Sequence, residues 1–225
     1  MRIAKSIVEQ YFSNLSGPLD PGLKKSRQAA LELGLQQISL GDLELQILKS
    51  IILLHASQKW IEIGTLTGSS GLAILSALPQ KAHLWTFEKE ILHAELAKPL
   101  LEDAAHSKNQ QVEILIGDAR LRLKEIEHLG PFDGIFIDGN KAAYGDYLVW
   151  AESNIRKGGL VIADNIFLSG AVFESVFESE RPVSSKFSAK QINVMKAFNQ
   201  RLMDKSVFET SFLPTEEGLS VSIKL

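Results

Sequence analysis

Two acids stand at the ends of two short apolar runs. Asp138 follows Gly134-Ile135-Phe136-Ile137 and leads into Gly139-Asn140-Lys141, while Asp164-Asn165 follows Leu160-Val161-Ile162-Ala163. Runs of this kind, bounded by Gly and polar residues and lying between helical patterns, read as buried parallel strands. Carboxylates are rarely buried without a partner, so two of them at strand ends call for an explanation. In open parallel sheets, that edge is where ligands bind. Two carboxylates and an amide are all oxygen donors and suit a hard divalent cation such as Mg²⁺, with Lys141 close by. Taken singly, either Asp reads first as the cap of the helix or loop that follows. Lys141 alone reads equally as a surface lysine paired to Asp146. Together, the residues favour a site.

A second series of acids follows three earlier runs. Ile61-Glu62-Ile63 leads into Gly64-Thr65-Leu66-Thr67-Gly68-Ser69-Ser70-Gly71, Glu88 closes a run from His83, and Asp118-Ala119 follows Val112–Gly117. Glycines at a strand-to-helix turn let a ligand approach the backbone, and the helix N-terminus offers free amides to an anion. An amino-acid-like cofactor carries both an ammonium, which Glu62 would accept, and a carboxylate for those amides. Glu88 lies about twenty residues after the glycines, where an acid can accept from both ribose hydroxyls. Asp118 and Ala119 form a small turn near where a nucleoside base would lie. Each of these acids alone is also readable as a helix cap; three successive turns converging on one edge are harder to set aside.

The elements that position these residues follow from periodicity. Helices are expected over Ile3–Phe12, from Asp20-Pro21 to about Gly34, and from Gly41-Asp42 with Leu45, Leu48, Ile52 and Leu53 on one face. From Trp60 the chain alternates: strands at 60–63, 83–88, 112–117, 134–138 and 159–164 are separated by helices at about 69–77, 91–107, 119–127 and 144–155. Repeated units of this kind imply a parallel sheet with right-handed crossovers. After a helix near 189–205, Val207–Leu213 and Leu219–Leu225 alternate in character and read as a hairpin, placing an antiparallel strand at the sheet edge. No linker separates the N-terminal helices from the rest. One domain over 1–225 is therefore expected, with 1–58 as a helical cover, lid or dimer surface and 59–225 as the α/β core.

Composition narrows the classes. With 225 residues and 45% hydrophobic content, the chain can bury a full core. A formal charge of −3 without a basic block gives no case for nucleic acid, and zero Cys excludes thiolate chemistry. No apolar run reaches the length of a membrane span, and Met1-Arg2-Ile3-Ala4-Lys5 lacks a signal-peptide core, so a cytoplasmic protein is expected. The five histidines show no metal-ligand spacing and read as surface or helix residues. Tyr147 reads either as a wall of the cofactor pocket or as a helix-to-sheet contact. Phe167–Phe173 reads either as a substrate wall or as packing under the last helix, and Arg181-Pro182 as the bound of a loop over the acceptor.

From about Pro18 onward, the chain resembles the cation-dependent S-adenosylmethionine O-methyltransferases, the catechol and caffeoyl-coenzyme A group with its bacterial relatives. Ile61–Gly68, Phe136–Lys141 and Gly158–Asn165 carry the resemblance. It implies a Rossmann-like sheet of seven strands in the order 3-2-1-4-5-7-6, with the seventh antiparallel. It also implies S-adenosylmethionine as cofactor, a divalent cation (Mg²⁺ first, Mn²⁺ or Ca²⁺ as alternatives), a small aromatic substrate bearing vicinal hydroxyls, and a homodimer. On matching positions, Asp138, Asp164 and Asn165 would hold the metal and Lys141 would be the general base. Glu62, Gly64, Thr65, Gly68 and Ser70 would surround the methionine end, with Asp138 also near its amino group. Glu88 would hold the ribose, and Asp118 with Ala119 would face the adenine. Ser69 stands where the family usually has Tyr, and Gly139-Asn140 differs from the usual pairs between acid and lysine. Two alternatives stay open: a nicotinamide-dependent oxidoreductase, disfavoured by G-x-x-x-G-x-x-G in place of G-x-G-x-x-G, and a non-catalytic S-adenosylmethionine-binding protein.

Overall fold

A computed structural model describes residues 19–173, 186–215 and 217–225, together with Tyr11, Phe12 and Leu15. Most of the helix expected over Ile3–Phe12, and the Arg181-Pro182 loop, lie outside the described residues. Helix α1 (Pro21–Glu32) begins where expected, with the Asp20 side chain accepting from the Gly22 and Leu23 amides and Pro21 in the first turn. Helix α2 (Asp42–His55) buries Leu45, Leu48 and Ile52. Leu53, expected on the same face, is 53% exposed, because one residue past Ile52 the helix has turned by about 100°.

Strand and helix then alternate: β1 (Lys59–Ile63), α3 (Ser69–Ala77), β2 (His83–Glu88), α4 (Ile91–Ser107), β3 (Gln111–Ile116), α5 (Ala119–Ile126), β4 (Phe132–Ile137), α6 (Tyr144–Asn154) and β5 (Ile155–Ala163). Helix α7 (Ala189–Leu202) precedes β6 (Phe208–Leu213) and β7 (Leu219–Lys224). The sheet order is β3-β2-β1-β4-β5-β7-β6. Strands β1 to β5 are parallel, and β7 runs antiparallel to both of its neighbours. Fold class, strand order and terminal hairpin thus match the expectation.

Strand β5 starts earlier than the expected Gly159. Ile155 already pairs with Phe132, and Arg156 Nε reaches Asp133 Oδ1 at 2.6 Å. The exposed stretch Arg156-Lys157-Gly158 has no strand pattern of its own. Its pairing comes from β4 and from Asp133, which also accepts from the Gln58 and Lys59 amides.

Alternation along the strands fills a core on each side of the sheet. Ile61, Ile63, Ile135, Ile137, Val161 and Ala163 face the α5–α7 side, while Trp60, Phe136, Leu160 and Ile162 face the side covered by α2, α3 and α4. The parallel register levels the strand ends: Ile63 pairs with both Phe87 and Ile137, and Ile137 with Ala163. The next residues extend the ladder, Gly64 N donating to Phe87 O (2.9 Å), Asp138 N to Ile63 O (2.8 Å) and Asp164 N to Ile137 O (3.0 Å). Glu88, Gly64, Asp138 and Asp164 therefore stand on one edge.

This packing leaves little slack. Gly134 lies opposite Trp60, and a Cβ there would sit 2.1 Å from the buried indole ring. Gly134→Ala should destabilise the protein by about 1–3 kcal/mol through overpacking, read as a lower urea midpoint at unchanged m-value.

Candidate active site

Glu62 is fully buried near the end of β1, paired in register with Thr86. The Thr86 hydroxyl donates to Glu62 Oε2 at 2.5 Å, and Thr65 in turn donates to Thr86 at 2.6 Å. Ser70 also hydrogen-bonds the carboxylate. The other oxygen, Oε1, is buried with no partner among the described residues. Burial, partly offset by Ser70 and Thr86 and reinforced by Asp138, pushes the Glu62 pKa up to about 7. A buried acid with one free oxygen at a glycine turn is suited to a cationic group of a ligand.

The turn is built around Gly64 and pinned from outside the sheet. Gly64 has φ +99°, and a Cβ on it would come within 2.0 Å of the Asp138 carbonyl oxygen; only glycine fits. From α1, the buried Ser26 hydroxyl lies 2.8 Å from Ser69 Oγ and 3.2 Å from Thr67 Oγ1. No pattern in the sequence pointed to Ser26. Thr86 did leave a trace, as a lone hydroxyl in an apolar strand two residues before Glu88.

Glu88 is buried and already engaged with backbone. Its Oε2 accepts from Leu66 N (2.8 Å) and its Oε1 from Lys89 N (2.7 Å) and Glu90 N (2.9 Å), with His93 Nδ1 at 3.7 Å. It thereby ties the tip of β2 to the glycine turn. Asp118 caps α5 through Arg120 N at 3.0 Å and pairs with the Arg120 guanidinium at 2.5 Å, which holds its carboxyl below the usual range. Ala119 is buried at the start of α5. Arg120 also lies 3.8 Å from Asp146 on α6. Tyr147 is buried beside Gly139, and burial pushes its pKa up to about 12.

Asp138, Lys141, Asn165 and Asp164 come together at the ends of β4 and β5. Lys141 Nζ donates to Asp138 Oδ1 at 2.8 Å, to the Tyr144 hydroxyl at 3.1 Å and to Asn165 Oδ1. Lys141 pairs with Asp138, not with Asp146, because the tight turn after Asp138 folds its side chain back over the strand end. The buried Tyr144 hydroxyl donates to the Asp164 carbonyl at 2.9 Å, so its lone pair faces the ammonium. Burial disfavours the Lys141 charge, but Asp138 and Tyr144 outweigh it, and its pKa is raised. Asn165 takes a φ of 59°, a conformation Asn tolerates.

Asp164 is the strained member. Its Oδ1 is buried without a partner among the described residues, and burial followed by repulsion from Asp138 pushes its pKa well above the usual carboxylate range. Among the described residues, no three His, Asp or Glu side chains cluster as a metal-binding group. The oxygens gathered here come from two acids and an amide, and two of them already share one cationic centre in Lys141 Nζ. With an unpaired buried carboxylate oxygen alongside, the donor set fits a hard cation.

Other readings are corrected or narrowed. His83 is neither on a helix nor simply superficial: it opens β2, stacks on Trp85 with centroids 3.6 Å apart, and burial pushes its pKa down to about 4. Of the Phe167–Phe173 segment, Leu168 is buried in the core under α7, and the Phe167 amide and Ser169 bond Glu217 beside the hairpin turn.

The strand order, with its reversed seventh strand, is the one that the resemblance to S-adenosylmethionine methyltransferases implies. A family profile described as O-methyltransferase matches residues 13–225, and the chain belongs to that family. It is 30% identical over 218 residues, 96% of each chain, to a catechol O-methyltransferase of Niastella koreensis. It is 26% identical over 178 residues to a caffeoyl-CoA O-methyltransferase of Mesembryanthemum crystallinum, covering 78% of this chain and 68% of that one. The crystal structure of the O-methyltransferase TomG from Streptomyces achromogenes, in complex with SAM, superposes with a TM-score of 0.84 at 28% identity, covering 97% of this chain and 96% of that one. The expected resemblance holds at the level of family, and the oxidoreductase and non-catalytic readings fall away.

Glu62 has a consequence for stability. Its folded pKa of about 7 lies above the ordinary 4.5, so the stability it contributes is present below pH 4.5 and is lost as pH rises through 7. Glu62→Gln, measured without ligand, should be more stable than wild type at pH 8, by up to about 3 kcal/mol, with the two thermal midpoints converging near pH 4.5.

Proposed function

We propose that this O-methyltransferase moves a methyl group from S-adenosylmethionine to one hydroxyl of an aromatic vicinal diol, catechol-like or caffeoyl-like, with the help of a divalent cation. One observation carries the reading. Oxygens of Asp138 and Asn165 meet at a single cationic centre beside the unpaired Asp164 oxygen, on the edge that also carries Glu62 and Glu88.

In this reading, the free Glu62 oxygen accepts from the donor's α-ammonium, and the amides opening α3 after Gly68 face its carboxylate, with Gly64, Thr65 and Ser70 shaping the turn. Glu88 holds the ribose from a position already fixed by Leu66 N. Asp118 and Ala119 border the adenine, Tyr147 lines the cofactor pocket, and Arg120 competes for the Asp118 carboxylate. Asp138, Asp164 and Asn165 would hold the cation, with Mg²⁺ the first expectation and Mn²⁺ or Ca²⁺ the alternatives. Bound there, it supplies Lewis acidity that lowers the pKa of an acceptor hydroxyl and fixes its oxygen.

Lys141 is an ammonium bonded to Asp138, so it takes the acceptor's proton only after it has left that bond and given one of its own protons to solvent. The acceptor oxygen then attacks the sulfonium methyl carbon, the C–O bond forming as the C–S bond breaks and its electron pair returns to sulfur. Charge is dispersed as oxygen anion and sulfonium combine, so alignment and exclusion of water at the buried strand ends supply much of the rate. Helices α1 and α2 act as cover to 59–225 in one domain, as supported by Ser26 on the glycine turn and by Leu48 and Ile52 packed in one cluster with Trp60 and Leu72. A homodimer and a cytoplasmic setting belong to the same proposal. No helix among the described residues is long and apolar enough to cross a membrane.

Labelled-methyl transfer to a panel of catechols tests this. Turnover should vanish with chelator and return with Mg²⁺. Asp164→Ala should lower kcat/KM by about 100-fold or more, while calorimetric binding of S-adenosylhomocysteine survives. Chelator-resistant turnover would remove the cation from the scheme, and inertness toward every catechol would remove the substrate class.

A further inference from the structure

Lys141 and the cation of the preceding proposal call on the same oxygen atoms. Asp138 Oδ1 and Asn165 Oδ1, two of the proposed donors, are both taken by Lys141 Nζ. The third ammonium hydrogen goes to the Tyr144 hydroxyl at 3.1 Å, so all three donors are used. We propose that the Lys141 ammonium is a tethered occupant of the cation site, which a divalent ion must displace from Asp138 and Asn165. The inference rests on the metal reading of Asp138, Asp164 and Asn165, and concerns how that site is regulated.

Three features make the tether effective. Lys141 is three residues from Asp138, in a short turn held by Asn140 Oδ1 accepting from Ala142 N at 3.1 Å, so its local concentration at the site is high. Lys141 and Asp138 side chains are each only 16% exposed, so water screens their attraction poorly. The lysine also has somewhere to go. Tyr144 offers its hydroxyl and, with Nζ 5.2 Å from the ring centroid, an aromatic face to an ammonium that has released the two oxygens.

The apparent affinity for a divalent ion is then the intrinsic one reduced by the fraction of molecules in which Lys141 has moved aside. The same displacement frees Lys141 from Asp138, leaving it to face an acceptor hydroxyl. An ammonium thus neutralises buried acids when no ion is bound, and one movement both opens the site and releases the lysine.

The test is calorimetric titration of MnCl₂ into the full chain saturated with S-adenosylhomocysteine, comparing wild type with Lys141→Met, Lys141→Gln and Lys141→Arg. The Met and Gln variants, which lose the charge, should bind Mn²⁺ at least about tenfold more tightly; the Arg variant, which keeps it, should not. Wild-type protein with isotope-labelled lysine adds an independent readout: the Lys141 ammonium resonance should shift on saturation with Mg²⁺. Equal or weaker Mn²⁺ binding by the Met and Gln variants, or an unmoved resonance in Mg²⁺-saturated protein, overturns the tether and leaves the metal site standing. No uptake of Mn²⁺ by wild type or variants overturns the metal reading and the tether with it.

Discussion

Buried negative charge at a single sheet edge is the constraint on which this structure depends. Parallel register sets Glu88, Gly64, Asp138 and Asp164 level with one another, because each strand end donates one more backbone bond to its neighbour. Carboxylates so placed repel each other and are poorly hydrated, which is why Glu62 and Asp164 are both pushed upward. Each finds a different relief. Glu88 takes three backbone amides, Asp138 takes Lys141, and Glu62 takes hydroxyls from Thr86 and Ser70. Asp164 finds least, and keeps an oxygen unpaired among the described residues.

The glycine turn is held from both sides by polar contacts buried where hydrogen bonds must be complete. The Leu66 amide is captured by Glu88 across β2, and Ser69 and Thr67 are met by Ser26 from α1. Helix α1 thus helps to hold the glycine turn in place. Gly64 supplies the other half of this geometry, since the Asp138 carbonyl lies where any side chain at that position would be. Glycine turn and acid cluster therefore touch through the backbone, and a shift in one is felt by the other.

At the far side, the hairpin closes the edge beyond β5 and braces the segment after Asn165. Ile166 N donates to Gly218 O and Phe167 N to Glu217 O, and the Phe167 ring lies where a side chain on Gly218 would be. From α7, Asn199 Nδ2 holds the Ile166 carbonyl at 2.8 Å. The left-handed conformations of Asn165, Leu168 and Ser169 are sustained by these contacts.

Much of this was readable from residue order. The apolar runs before Asp138 and Asp164, the glycines after Glu62 and the alternation in the last twenty residues each report a local period, and local periods are properties of the chain alone. They sufficed for the parallel sheet, the terminal hairpin and the set of acids at its rim; the reversed strand, expected at the sheet edge, is β7, which lies between β5 and β6. Leu53 and the start of β5 were misjudged where a pattern was short or absent. The partner of Lys141, the hydroxyl of Tyr144 and the reach of Ser26 across 43 positions to Ser69 could not be read in this way. Such contacts depend on strand register and helix docking, and these are set by packing between segments far apart in the sequence. Residue order determined which groups would stand at the edge, and folding determined which of them neutralise one another there.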